Sequence, residues 1–154
     1  MTTDVMARLA EMGIELPQVT PPVAAYVPAL RSGDIVYVSG QLPMVDGALL
    51  ATGLVGSEVS ADDAKALARR CALNGLAAVA TVADLADVEQ VIKVVGFVAS
   101  AAGFTGQPGV INGASEFLGE VFGEAGRHAR SAVGVAALPL GAPVEVEFMF
   151  RVRG

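Results

Sequence analysis

Apolar residues recur along this chain at two different spacings, which separate helices from strands. Spacings of three and four predict a short helix over residues 2–13 and another helix over 109–123. Between them, a longer helix is predicted to follow Ser60, which is a good N-cap with two aspartates in the first turn. Asn74 and Gly75 are expected to interrupt that helix.

Alternating or β-branched apolar runs predict five strands. They are expected over residues 24–30, 34–39, 90–99, 130–137 and 143–152. An Arg-Ser-Gly-Asp turn joins the first two strands into a hairpin, and a Leu-Pro-Leu-Gly turn separates the last two.

The order of these elements, ββαβαββ after one extra helix, predicts the fold class. Two helices against one face of a sheet give a two-layer α+β domain, whose other sheet face meets water or another subunit. We expect a single domain over residues 1–154, with a helix and an extended arm over 1–20 and a core over 21–154. An Asp-Gly turn places the segment 41–55 at the edge of the sheet.

Composition bears on assembly and partners. Hydrophobic residues make up 53% of the chain and charged residues 17%, and there is no Trp, so small side chains must build the core. The surplus of apolar surface favours an oligomer, since large exposed apolar patches are normally interfaces. The formal net charge of −6 argues against nucleic acid as the main partner, because phosphates repel an acidic surface.

The single cysteine, Cys71, has no internal disulfide partner, which suits a reducing compartment. Its place on an apolar helix stripe predicts a core residue. The N-terminus lacks the basic start and apolar run of a signal peptide, and no apolar run reaches the roughly 18 residues of a membrane span. We therefore expect a cytoplasmic protein with no membrane partner.

Arg130 is the residue best suited to bind a ligand. On its predicted strand it shares a face with Ala132 and Gly134, whose small size leaves room beside the guanidinium for a carboxylate bound by two parallel hydrogen bonds. The alternative is structural: Arg130 pairs across the sheet with Glu145 or Glu147, which share one face of the last strand. Residue types alone leave both interpretations open.

Several short motifs resemble, in order and spacing, the YjgF/RidA family, also described as endoribonuclease L-PSP. They are Tyr26, Ser39-Gly40-Gln41, Arg130-Ser131, Leu138-Pro139 and the terminal Val-Glu-Val-Glu run, within residues 20–152. The resemblance implies a chorismate mutase-like fold and a homotrimer with ligand clefts between subunits. It also implies, from the best-understood branch, hydrolysis of enamines and imines of 2-amino acids to 2-keto acids and ammonia, without a cofactor.

The same resemblance implies roles for individual residues. Arg130 would hold the carboxylate of a small imino or keto acid, and Tyr26, Ser39 and Asn112 would position it. Glu145 would orient or deprotonate the water that attacks the imine carbon.

The chain departs from that family pattern at two positions. Ala132 and Gly134 stand where many active deaminases carry Cys and Glu. These departures favour an alternative in which the cleft binds or senses small carboxylate metabolites without catalysis. The endoribonuclease activity attached to some family members fits the acidic charge poorly.

The remaining residues of interest are assigned structural roles. His128, the only histidine, is expected on a loop surface, and the alternative is that it lines the ligand cleft two residues before Arg130. Tyr37 is expected to serve packing. No residue spacing predicts a metal site. The glycine-rich stretch 103–109 lacks the lysine of a phosphate loop, so no nucleotide cofactor is implied.

Overall fold

The computed structural model describes residues 4–19, 22 and 24–154, which contain three α-helices and seven strands. The helices are α1 (Val5–Glu11), α2 (Ala61–Val79) and α3 (Gln107–Phe122). The strands are β1 (Ala29–Ser32), β2 (Ile35–Gln41), β3 (Met44–Val45), β4 (Ala48–Leu49), β5 (Val88–Ala99), β6 (Ala129–Val135) and β7 (Val144–Val152). Among the described residues, no helix is both long enough and apolar enough to cross a membrane.

Five of the strands form one sheet in the order β1-β2-β7-β5-β6. Neighbouring strands are antiparallel except β5 and β6, which run parallel because α3 crosses over between them. β6 is therefore an edge strand with β5 as its partner in this chain.

Helices cover one face of this sheet, which confirms the predicted two-layer α+β class. β7 alternates as its sequence predicts, and its buried residues face α2 and α3: Val144, Val146, Phe148, Phe150 and Val152. We call the opposite side the open face. It carries Tyr37, Val95, Glu145, Glu147 and Met149.

Close packing of α2 against α3 depends on Gly113. A Cβ at this position would collide with the backbone carbonyl of Lys65 in α2. On the solvent side, Lys65–Glu116 and Arg69–Glu120 ion pairs, both 3.1 Å long, also join the two helices. Because these pairs are exposed, each contributes little stability, and the close backbone approach matters more.

The interruption predicted in α2 is wrong, since the helix continues through Asn74 and Gly75. A Cβ at Gly75 would lie 2.9 Å from the ring of Phe148, so the glycine admits that ring. The buried Asn74 amide donates to the carbonyls of Leu42, at 3.1 Å, and Met44, at 3.0 Å. These tertiary contacts outweigh the weak helix propensity of both residues.

β3 and β4 form a separate two-stranded ribbon instead of an edge of the main sheet. Asp46 and Gly47 close it with φ of 52° and 81°, which confirms the predicted turn. The ribbon is held on α2, because Arg70 Nε donates to the Met44 carbonyl at 3.0 Å beside the Asn74 amide.

The predicted first hairpin is present but starts later. β1 begins at Ala29 instead of residue 24, directly after Pro28, which has no N–H for a strand ladder. The predicted N-terminal helix is confirmed as α1, although residues 1–3 and 20 of the expected helix and arm lie outside the described residues.

Cys71 lies on the inner side of α2 and is fully buried in the core, as predicted. Burial raises the pKa of its thiol well above the ordinary value, and the charge of Glu145 adds to this effect. The side chain therefore packs as a small apolar residue.

Candidate active site

Arg130 is the second residue of β6, and its side chain turns toward α3. Nη1 donates to Asn112 Oδ1 at 2.7 Å and to Ser115 Oγ at 3.2 Å. Nη2 donates to the carbonyl of Pro108, in the first turn of α3, at 3.3 Å. One strand and one helix therefore fix the guanidinium from two sides.

All three acceptors of Arg130 are neutral groups. Within the described residues Arg130 makes no ion pair, and Nε and one N–H of Nη2 have no acceptor. A guanidinium that keeps its charge and part of its hydrogen-bonding capacity is ready to bind an anion.

The alternative pairing of Arg130 with Glu145 or Glu147 is not found. Arg130 lies beside Val94, whose side chain is buried under the helices, whereas Glu147 lies beside Val95 on the open face. Because successive side chains on a strand point to opposite faces, the sheet separates the cation from both carboxylates within one chain.

Ala132 and Gly134 do share the face of Arg130, and the side chain of Gln107, at the start of α3, lies over Gly134. A Cβ at Gly134 would lie 2.7 Å from Gln107 Nε2. Gln107 is held there by hydrogen bonds to Ser100 Oγ at 3.1 Å and to the Phe104 carbonyl at 2.8 Å. The Gln107 side chain therefore takes up part of the room that was expected beside Arg130, although Gly134 itself stays exposed.

Ser115, which the sequence did not single out, and His128, for which a place in the cleft wall was only the alternative, join this cluster. His128 Nε2 lies 2.9 Å from Ser115 Oγ, and Nδ1 lies 2.6 Å from the Gly126 carbonyl. His128 lies in the turn before β6, as predicted, but its ring is half-buried against Ser115, which agrees better with the alternative place in the cleft wall. The available signal was spacing: Ser115 follows Asn112 by one helical turn, and His128 precedes Arg130 by two residues.

Glu145 occupies a different environment on the open face. Its carboxylate lies over Gly40, where a Cβ would collide with Oε1. Burial of the carboxyl, followed by repulsion from Glu147, raises the pKa of Glu145 above its ordinary value. A carboxylate with raised basicity next to an open sheet face has the properties of a general base.

Tyr26 and Ser39 lie at the far edge of the same open face. Ser39 Oγ donates to the Val27 carbonyl at 2.7 Å and so fixes the segment before β1. Tyr26 is exposed, and both residues line a concavity of about 390 Å³ together with Leu30 and Tyr37. The expected packing role of Tyr37 is not met within one chain, because 45% of its surface is exposed.

The predicted site residues thus fall into two groups. Asn112 and Arg130 are in contact, whereas Tyr26, Ser39 and Glu145 are on the other side of the sheet. β2 and β6 are three strand positions apart, which is roughly 14 Å at the usual strand spacing. One chain therefore does not bring the two groups together around a single small ligand.

A mixed five-stranded sheet with two helices on one face and a ββαβαββ order defines the chorismate mutase-like class of folds. The chain matches the family "YjgF/chorismate mutase-like, putative endoribonuclease" over residues 6–151, and it belongs to that family. The resemblance seen in the sequence motifs is confirmed.

Individual relatives match over nearly the whole chain. Protein TCP17 of Trypanosoma cruzi is 46% identical, over 97% of this chain and 94% of its own. A protein of unknown function from Agrobacterium tumefaciens is also 46% identical, with a TM-score of 0.87 over 98% of this chain and 93% of its own. The structure of a "putative endoribonuclease" from Shewanella oneidensis is 30% identical, with a TM-score of 0.92 over 96% of this chain and 99% of its own.

Proposed function

We propose that this protein binds the carboxylate of a small imino or keto acid at Arg130 and hydrolyses imines of 2-amino acids. The observation that carries the proposal is the guanidinium held by Asn112, Ser115 and Pro108 without any carboxylate. Neutral acceptors fix its position and leave its charge to the ligand, so binding requires little reorganisation. Membership of the YjgF family supports the choice of ligand.

The proposed reaction requires no redox step. Water adds to the imine carbon, the resulting carbinolamine loses ammonia, and a 2-keto acid remains. Arg130 would hold the substrate carboxylate, and Glu145 would take a proton from the attacking water and return it to the leaving nitrogen. A carboxyl with a raised pKa is suited to both transfers.

This chemistry requires a second copy of the chain, because Arg130 and Glu145 of one copy lie on opposite faces of the sheet. We propose a homotrimer in which the open face of one subunit approaches the β6 edge of the next. Its exposed apolar residues support such contact, since Val27 is 54% and Leu30 58% exposed. Tyr26, Ser39 and Glu145 would then reach a ligand on the neighbour's Arg130.

A second candidate function is binding without catalysis, in which the protein senses or carries small carboxylates. It is favoured by Ala132 and Gly134, which stand where many active deaminases carry Cys and Glu, and by the Gln107 side chain, whose end lies where a Cβ at Gly134 would be. Cleavage of RNA receives less support, because the net charge of −6 repels a phosphate backbone.

The test combines imine hydrolysis with ligand binding. An amino-acid oxidase generates 2-imino acids, and semicarbazide traps the imine that has not yet been hydrolysed. Hydrolysis by the protein is measured as a decrease in the amount of trapped imine. We expect hydrolysis by the parent, loss in Arg130→Ala and full activity in Arg127→Ala, which removes an exposed arginine paired with Glu124. The second arm measures binding of 2-oxobutyrate by calorimetry.

The outcomes separate the candidates. Binding without hydrolysis would favour the sensor over the deaminase. Neither binding nor hydrolysis by the parent, or equal behaviour of Arg130→Ala and Arg127→Ala, would reject Arg130 as the anion site.

A further inference from the structure

His128 is the only imidazole in the chain, and both of its ring nitrogens are hydrogen-bonded. The Gly126 carbonyl, 2.6 Å from Nδ1, can only accept, so Nδ1 carries the proton. In the neutral ring Nε2 is then an acceptor, and the hydroxyl of Ser115 must donate to it across 2.9 Å. The geometry thus fixes the tautomer and the direction of the serine hydroxyl.

Ser115 connects the imidazole to Arg130. While its hydrogen is directed to His128, its lone pairs are free to accept from Arg130 Nη1 at 3.2 Å. If His128 gains a proton, Nε2 becomes a donor, and one serine oxygen then lies between two cations. A carboxylate bound to the guanidinium would add a negative charge at this end of the hydrogen-bond chain and so favour that protonated state.

Other charged groups near His128 are already paired or directed elsewhere. On α3, on the turn after it and on β5 they are Glu116, Glu120, Glu124, Arg127, Glu89 and Lys93. The first two pair with residues of α2, and Glu124 pairs with Arg127 at 3.5 Å. Lys93 lines the open face, and Glu89 is exposed, without an ion pair among the described residues.

We propose that Ser115 and His128 are positioning residues of the Arg130 site, and that a carboxylate bound to Arg130 draws a proton onto His128. This inference rests on the proposed function of Arg130 and deepens it: the site takes up an anion and a proton together. Histidine is the side chain for which such an exchange falls between about pH 5 and 8.

Calorimetry with 2-oxobutyrate tests the linkage, because this ligand stays ionised throughout that pH range. For the parent we expect affinity to be about threefold or more higher near pH 5.5 than near pH 8, as expected for two partly solvated charges. Heats measured in buffers of different ionisation enthalpy should show proton uptake on binding.

His128→Gln is the matched variant, since its amide still accepts from Ser115 but cannot gain a proton. We expect it to bind like the parent near pH 8 and to gain less affinity and take up fewer protons than the parent near pH 5.5; any pH dependence left in the variant would come from the Glu145 of the neighbouring copy, whose pKa is raised. Ser115→Ala should weaken binding at both pH values by about threefold or more, with partial rescue by Ser115→Thr. Thermal melts check that each variant is folded.

A single histidine also gives one set of imidazole NMR signals. Nitrogen shifts should show the Nδ1–H tautomer in the unliganded protein, and 2-oxobutyrate should shift these signals toward the protonated ring. The opposite tautomer, or equal pH dependence in His128→Gln and the parent, would overturn the inference while leaving carboxylate binding intact. No 2-oxobutyrate binding at any pH would reject the proposed function itself, and this inference with it.

Discussion

The charge of Arg130 has no carboxylate partner among the described residues, and its nearest neighbour on α3 is a neutral amide. Asn112 Oδ1 accepts from Nη1 at 2.7 Å, the shortest of the three hydrogen bonds that Arg130 makes. An aspartate has the same shape as asparagine, so exchanging the two changes charge and little else. A substitution at position 112 therefore tests directly whether Arg130 must lack an internal carboxylate partner in order to bind a carboxylate ligand.

We expect Asn112→Asp to weaken binding of 2-oxobutyrate by about tenfold or more, because an internal carboxylate competes with that of the ligand. The melting temperature should stay the same or rise slightly, since a partly exposed ion pair is worth about 1 kcal/mol at most. Calorimetry and thermal unfolding measure the two effects. Unchanged affinity in a folded variant would mean that the ligand does not use the charge of Arg130.

Glu145 makes a testable contribution to stability as a function of pH. Burial and Glu147 raise its pKa, so the folded state holds this proton more tightly than the unfolded state. The free energy of unfolding therefore falls as pH rises from the ordinary carboxyl pKa through the raised one. Glu145→Gln removes this loss. We expect the variant to be more stable than the parent at pH 7 and equally stable near pH 4, as measured by thermal melts.

The same variant separates catalyst from binder. If Glu145 is the base, Glu145→Gln should lower imine hydrolysis by about 10²-fold or more and leave 2-oxobutyrate affinity nearly unchanged. Equal rates in the variant and the parent would exclude proton transfer by Glu145, whatever its effect on stability.

Among the secondary-structure elements, the α2–α3 pair depends most on one residue. Gly113 allows the α3 backbone to approach the carbonyl of Lys65, and a methyl group there would collide with backbone, which cannot move aside. We expect Gly113→Ala to lower the free energy of unfolding by about 2 kcal/mol or more.

Gly119→Ala provides the matched control on the same helix. A Cβ at Gly119 meets nothing within 4 Å, so alanine should raise stability by up to about 1 kcal/mol through helix propensity. Denaturant unfolding of both variants gives the comparison. Two equal effects would contradict the close helix contact.

Sequence periodicity was sufficient to locate the strands and helices, but it wrongly predicted an interruption within α2. The alternation of β7 and the Ser60 N-cap appear as predicted, since local pattern alone determines them. Asn74 and Gly75 looked like a break because their partners, Leu42 and Phe148, are far away in the sequence. Local propensity cannot reveal such partners, and tertiary contacts decided the outcome.

The candidate site shows the same limit. The sequence and the family resemblance indicated Arg130 and Asn112, which the fold brings into contact. They did not indicate Ser115, and they gave His128 a place in the cleft only as an alternative, because serine and histidine are common on surfaces and only a shared hydrogen-bond network distinguishes them. Nor did they show that Glu145 and Arg130 lie on opposite faces, which depends on strand order.

For the whole molecule, the open face is the main feature left unexplained by a single chain. Leu30 is 58% exposed and lies beside Tyr37, around the concavity that Tyr26 and Ser39 also line. We expect light scattering at micromolar concentration to give three times the chain mass of 15.6 kDa. Leu30→Glu should shift the protein toward the monomer, because it introduces a charge into an apolar contact.

Met6→Glu is the control for this shift. Met6 is 50% exposed on α1, on the helical side of the molecule. We therefore expect this substitution to leave the trimer intact. A parent protein of monomer mass would exclude the trimer. It would also exclude any site that combines Arg130 with the Glu145 of a second copy.

The rate at which the buried thiol of Cys71 is chemically modified measures how often the fold opens. The thiolate is the form of cysteine that attacks alkylating reagents, and the Cys71 thiol is fully buried with a raised pKa, so the closed fold offers almost no reactive thiolate. Labelling therefore requires that α2 detach from the sheet, and the chain holds no other cysteine to obscure the signal. The modification rate, followed by mass spectrometry, reports how often the core opens under native conditions. If ligands or subunit contacts hold the sheet and helices together, they will lower the rate of Cys71 modification, even where they leave the melting temperature unchanged.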